Sequence, residues 1–100
     1  MKITVLEQAL LTAIMDSDYN AGSGYYNEEC IGNQVWTFDP VDNFGRAHGS
    51  QKTSGVLSSL LQKGAVEQGS YEQKHDVLAI TREGYDALVA AGWQPRVFAD

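Results

Sequence analysis

Apolar residues return every three or four positions in three stretches of this chain, the mark of helices with one face turned toward a core. Val5, Leu6, Ala9, Leu10, Ala13 and Ile14 form the first set and predict a helix over 5–16. Thr4, with Glu7 three residues on, makes a capping box at its start, where each side chain satisfies a free backbone N–H of the other. Glu7, Gln8, Thr12 and Asp16 fall on the outer face of this helix, which reads as a core element without chemistry. Thr53, Val56, Leu57, Leu60 and Leu61 form the second set and predict a helix over 50–64. Its other face carries Gln51, Lys52, Ser54, Ser58 and Gln62, short or uncharged hydrogen-bonding side chains for the most part, suited to touching something polar. Tyr85, Leu88 and Val89 form the third set, in a helix that Thr81 caps and Gly92 ends near Ala91.

Between the second and third helices the period changes from helical to extended. Gly64 stops the helix by taking the left-handed cap conformation, with Lys63 placed well against the negative end of the helix dipole. Ala65 to Gln68 and Val77 to Ile80 then read as short strands, joined by the polar, hairpin-sized connection Gly69 to Asp76. The run Ser58-Ser59-Leu60-Leu61-Gln62-Lys63-Gly64-Ala65-Val66, followed by Leu78-Ala79-Ile80-Thr81-Arg82-Glu83-Gly84, resembles the second half of a winged-helix DNA-binding domain of the MarR-like kind, as in small phage and bacterial regulators.

The resemblance covers residues 50–91 and implies an α+β winged helix-turn-helix fold. Residues 1–100 then make a single domain, with a reading helix at 50–64, an antiparallel hairpin wing at 65–80, a C-terminal helix at 81–91 and a tail at 92–100. It also implies double-stranded DNA as the partner. A homodimer is open as well, since related regulators commonly pair through terminal elements, although the short terminal helices here also allow a monomer.

The segment 17–49 departs from that pattern. Gln34 to Phe38 alternates as a strand, with Val35 and Thr37 on one face and Trp36 and Phe38 on the other, and the large pair is assigned to the core. Pro40 argues against a regular helix nearby, and Arg46 to Gly49 leaves little room after Phe44. A loop- and strand-rich segment is therefore expected where a winged helix has its second helix. Tyr25 to Ile31 has room for one or two turns, and Met1 to Ile3 is either a short strand or a lead-in.

Charge sharpens this division. The formal net charge of −6 opposes nucleic-acid binding if it is spread evenly. Instead, residues 1–45 hold one base, Lys2, against seven acids, whereas 46–82 hold Arg46, Lys52, Lys63, Lys74 and Arg82 against Glu67, Glu72 and Asp76. The positive segment coincides with the expected reading helix and wing. On the resemblance, the DNA-contacting set is Arg46, His48, Ser50, Gln51, Lys52, Ser54, Ser58, Lys74 and His75. Glutamine pairs with adenine, lysine reaches guanine or phosphate, and a helix N-terminus holds a phosphate.

The alternative is a winged-helix interaction module or inhibitor. It would bind a protein partner through the acidic, tyrosine-rich segment 17–45, with Tyr19, Tyr25, Tyr26, Glu28, Glu29, Asp39 and Asp42 as contacts. No catalytic set, cofactor motif or metal-ligand spacing stands out. Cys30, His48 and His75 are unsuitably spaced for zinc, and Gly22-x-Gly24 follows no strand. An enzyme is not expected. The lone Cys30, the missing signal-peptide pattern and the lack of any long apolar run lead to the expectation of a soluble cytoplasmic protein.

Overall fold

The computed structural model describes residues 1–23 and 25–97, with the side chains of Ala21, Tyr25, Tyr26, Arg96 and Val97 excepted. Gly24 and residues 98–100, which include Phe98 of the expected tail, lie outside the described residues. Helix α1 (Val5–Met15) is the element around which the others gather. The expected capping box is present: the Glu7 N–H donates to Thr4 Oγ1 at 3.1 Å and the Thr4 N–H donates to Glu7 Oε1 at 2.8 Å. Leu10, Leu11, Ile14 and Met15 are fully buried on its inner face, each burial contributing roughly 1.5–3 kcal/mol. Val5, assigned inward by its spacing, is exposed. Met1 to Ile3 is a lead-in without strand pairing.

After α1 come a short helix α2 (Asp18–Gly22), strand β1 (Tyr25–Tyr26), a 3₁₀ turn (Glu28–Cys30) and strand β2 (Val35–Trp36). Asn20 is fully buried and holds this segment together. Its amide donates to the Ile14 carbonyl at 2.8 Å, and its side-chain oxygen accepts from the Asn33 amide at 3.4 Å. Buried amides persist only when so partnered. Helix α3 (Phe38–His48), helix α4 (Ser50–Lys63), strands β3 (Val66–Gly69) and β4 (Val77–Ile80), helix α5 (Arg82–Ala90) and strand β5 (Arg96–Val97) complete the chain. The architecture is α+β. A three-stranded antiparallel sheet has the order β2-β4-β3, and β1 pairs with β5 in a separate two-stranded ladder. Helix α1 touches α3, α4, α5 and β4, so the core lies between one face of the sheet and the helical layer.

The segment expected to lack a second helix contains one. Pro40 is the third residue of α3, within the first turn, where a backbone N–H has no intrahelical acceptor and proline is tolerated. Pro40 and Phe44, four apart, are the buried side of this helix. The strand expected over 34–38 is correspondingly shortened to Val35–Trp36. One residue, Gly49, joins α3 to α4, and its N–H donates back to the Gly45 carbonyl at 2.8 Å. Trp36 and Phe38, assigned to the core, are 41% and 62% exposed. The alternation itself holds, since Val35 is buried, but it is the smaller face that turns inward.

Helix α4 ends as the sequence leads one to expect. Gly64 is left-handed (φ 76°), its N–H donates to the Leu61 carbonyl at 3.1 Å, and the Ala65 N–H donates to the Leu60 carbonyl at 2.9 Å. This pair of bonds is a Schellman closure. Thr81 then clamps the two ends of the hairpin. Its hydroxyl donates to the Gly64 carbonyl at 2.6 Å and accepts from the Gly84 N–H at 3.0 Å, while its own N–H donates to the Ala65 carbonyl at 3.0 Å. Gly84 lies so close that a Cβ there would stand 2.0 Å from the Ala65 carbonyl oxygen. The helix propensity lost at Gly84 is therefore the condition for seating α5 against the end of α4. Val89, expected on the inner face of α5, is exposed. Trp93 folds back edge-on to Tyr85, with ring centroids 6.0 Å apart.

Candidate nucleic-acid interface

Helix α4 is tied to α1 by a buried carboxylate. Glu7, assigned to the outer face of α1, is only 2% exposed. It accepts hydrogen bonds from Ser59 Oγ at 2.7 Å and Lys63 Nζ at 2.7 Å, both from α4. Burial alone would raise the Glu7 pKa, but the Lys63 bond, the Thr4 backbone N–H and the Ser59 hydroxyl outweigh it, and the carboxyl is held at about 2. Lys63 also donates to the Lys2 carbonyl at 3.1 Å. Two of the five bases in 46–82 are thereby committed to structure. Lys63 pairs with Glu7, and Arg82 pairs with Glu28 at 3.2 Å and with Asp86 at 3.6 Å. Among the described residues, Arg46, Lys52 and Lys74 carry no ion pair.

Those three bases stand on exposed positions of α3, α4 and the β3–β4 loop. Gln51, Lys52, Ser54 and Ser58 are exposed on α4, as their spacing requires. The first turn of α4 has no side-chain cap, and Ser50 opens it. Arg46 approaches α4: with Asp42, Ser50 and Ser54 it lines a cleft of about 540 Å³ between α3 and α4. No acidic residue occurs between Asp42 and Glu67, so α4 itself bears no carboxylate; the carboxylates beside it are Asp42 in the cleft and the buried Glu7. His48 is elsewhere. Its ring packs 4.4 Å from Phe44 in a hollow formed with the end of α1, away from the Arg46 cleft.

The hairpin loop has a fixed shape. The Asp76 carboxylate accepts the backbone N–H groups of Tyr71, Glu72 and Gln73 at 2.7–2.9 Å, and these bonds, that from Gln73 first, keep its pKa below the usual range. His75 adopts a left-handed backbone (φ 63°), its N–H donates to Ser70 Oγ at 3.1 Å, and its carbonyl accepts from Thr37 Oγ1 at 3.1 Å. Because Asp76 occupies those N–H groups, the loop presents side chains, Lys74 and His75 among them, and not a backbone anion cradle.

In comparisons with protein-family models, with curated proteins and with solved structures, nothing matches this chain.

The described acids of the alternative reading take separate structural roles. Glu28 pairs with Arg82, Asp39 accepts the Asp18 N–H at 2.8 Å at the start of α2, and Asp42 belongs to the α3–α4 cleft. Glu29 is exposed beside Glu28 on the 3₁₀ turn. The side chains of Tyr25 and Tyr26 lie outside the described residues, which leaves Tyr19, 61% exposed. Three exposed rings gather near it instead, Trp36 and Phe38, which were assigned to the core, and Tyr71, which was given no role. Trp36 stacks with Phe38 at 6.3 Å and meets Tyr71 edge-on at 5.7 Å, and Tyr71 is 71% exposed. The available signal was the alternation of β2, which puts Trp36 on the face opposite the buried Val35.

Cys30 is buried. Among the described residues no three His, Cys, Asp or Glu side chains gather into a group able to hold a metal ion, and no helix is long and apolar enough to cross a membrane.

Proposed function

We propose that this chain is a small winged-helix regulator that reads duplex DNA with α4 and uses the β3–β4 hairpin as its wing. The order of elements supports the winged-helix part of the reading: α1, then, after the inserted α2, β1 and 3₁₀ turn, β2, α3, α4, β3 and β4, with the sheet order β2-β4-β3. In that reading α3 is the support helix and Gly49 makes the turn into the reading helix.

The observation that carries the functional part is the carboxylate-free outer face of α4, bearing Gln51 and Lys52 at the N-terminal end that enters a major groove. Gln51 offers a bidentate amide to adenine, and Lys52 a cation to guanine or phosphate. Ser50 and the uncapped N–H groups of the first turn receive a backbone phosphate, and Arg46 adds charge from α3. Small Ser54 and Ser58 let the helix lie close to the bases. Lys74 reaches a neighbouring phosphate from the wing. A net charge of −6 over the whole chain makes this contact local and dependent on ionic strength.

The test is fluorescence anisotropy of a labelled random-sequence duplex at about 50 mM and about 200 mM salt. Micromolar binding that weakens steeply with salt, and that disappears when Gln51, Lys52 and Lys74 are all changed to alanine, is the expected result. Absence of binding at the lower salt, or binding indifferent to the triple substitution, would sink the reading.

A further inference from the structure

We infer that the exposed aromatic corner formed by Trp36, Phe38, Tyr71 and Tyr19 is a docking site for an arginine-bearing linear segment of a partner protein. This surface does not include the α4 face, although Tyr71 shares the β3–β4 loop with Lys74, and the proposal does not depend on DNA binding. Tyr19, Trp36 and Tyr71 line a groove of about 420 Å³, together with the amides of Asn33 and Gln34 and the side chain of Val77. Large exposed aromatics gathered on one surface are uncommon in a chain of this size, where such rings complete the core.

The geometry is already formed. Trp36 and Phe38 stack with an interplanar angle of 28°, and Tyr71 stands at 84° to the indole, giving a flat face with a perpendicular wall. Both sides of the corner are fixed from behind. Asp76 holds the backbone of Tyr71 through its N–H, and the Thr37 hydroxyl ties the residue between Trp36 and Phe38 to the His75 carbonyl. Little ordering remains to be done on binding, which favours recognition.

Charge selects the occupant. Asp18 adjoins Tyr19, Asp39 adjoins Phe38, Glu72 adjoins Tyr71, and Asp76 lies within hydrogen-bond reach of the Tyr71 and Glu72 backbone. Against these four acids the corner has one neighbouring base, Lys74, with His75 beside it. Four acids against one base disfavour a phosphate at the rings themselves, although the same loop carries Lys74, the base given to the wing contact. A second copy docked on itself in two-fold fashion would bring the same carboxylates face to face, which opposes self-pairing. A guanidinium suits both features, since it stacks flat on an aromatic face and offers N–H groups to neighbouring carboxylates, of which those of Asp39 and Asp76 already accept backbone N–H groups. The Asn33 and Gln34 amides along the groove match the donors and acceptors of an extended peptide backbone.

The probe is a short labelled synthetic peptide alternating arginine with leucine, titrated into the full chain, with the same peptide carrying glutamate in place of arginine as control. The arginine peptide is expected to shift the indole N–H resonance of Trp36 and leave that of Trp93 in place. Trp36→Ala and Tyr71→Ala should each weaken its binding by roughly three- to ten-fold. Tyr71→Ala, in an exposed loop, guards against a folding defect at Trp36. Glu72→Gln should weaken it about two-fold, and Lys52→Ala should leave it unchanged. The same Trp36→Ala protein should bind a random-sequence duplex as the parent does, so failure here and failure of the DNA reading are told apart. Equal binding of the glutamate peptide, indifference to both aromatic substitutions, or a dimer that Trp36→Ala converts to monomer would each overturn the proposal.

Discussion

Two exposed surfaces of this protein are built on opposite principles. The outer face of α4 is polar and bears no carboxylate of its own, with Lys52 and, on α3, Arg46 without ion pairs among the described residues, whereas the Trp36–Phe38–Tyr71 corner is aromatic and has acids as its neighbours in the chain. The total charge describes neither surface. What separates them is where the fold uses up its charges: Glu7 is drawn beneath α4 to meet Lys63 and Ser59, while Asp39 and Asp76 are retained near the aromatic corner to tie α2 and the hairpin loop. Both surfaces hang on the same packing between α1, α4 and the hairpin, so the disturbances with the largest effects strike both.

The largest is expected from Gly84→Ala. With 2.0 Å between the new Cβ and the Ala65 carbonyl oxygen, α5 must shift away from the end of α4, at a cost of about 3 kcal/mol or more. Chemical denaturation should show this loss, and an unchanged midpoint would mean that the close approach of α5 to Ala65 is not tight in solution.

Acid comes next and bears on the α4 side of the comparison. Glu7 is held at about 2 in the folded chain against an ordinary 4.5. A carboxylate whose pKa is depressed by folding stabilises fully above its unfolded value and loses that contribution as pH falls through the folded one. Stability should therefore decline by about 3 kcal/mol from this group between about pH 5 and about pH 2. Glu7→Gln should flatten that part of the pH profile, and an unaltered slope in denaturation midpoints would disprove the role given to the buried carboxylate.

Lys52→Ala tests the surface alone. Duplex affinity should fall about ten-fold, with the salt slope reduced by about one if Lys52 meets a phosphate, or with relaxed base preference if it meets a base. Peptide binding at the aromatic corner should not move. The smallest effect is expected on the stability of Trp36→Ala. Because the indole is 41% exposed, thermal unfolding should shift by the equivalent of about 1 kcal/mol or less. A loss as large as that from Gly84→Ala would show Trp36 to be a core residue after all.

Local rules made the ends of the elements legible. The Thr4–Glu7 capping box, the Gly64 closure and the Thr81 cap act between residues a few positions apart, so the residues themselves carry the answer. The outward placement of Gln51, Lys52, Ser54 and Ser58 was legible for the same reason, since a helical period fixes which side chains share a face. Segment 17–48 was not. Pro40 breaks a helix only beyond its first turn, and the start of α3 at Phe38 depends on Thr37 being tied to His75 and Asp76, far along the chain.

The sequence by itself therefore determined the helical and extended periods, their caps and stops, and the segregation of charge, because each is a property of neighbours in the chain. Only the tertiary structure decided which face of β2 is buried, why Gly84 is needed, and that Glu7 serves as an anchor and not as surface. Each of those depends on a group more than ten residues away, Leu78 for Val35, Ala65 for Gly84 and Lys63 for Glu7. A pattern read along one element shows that two faces differ, but only the arrival of a packing partner settles which of them is removed from water.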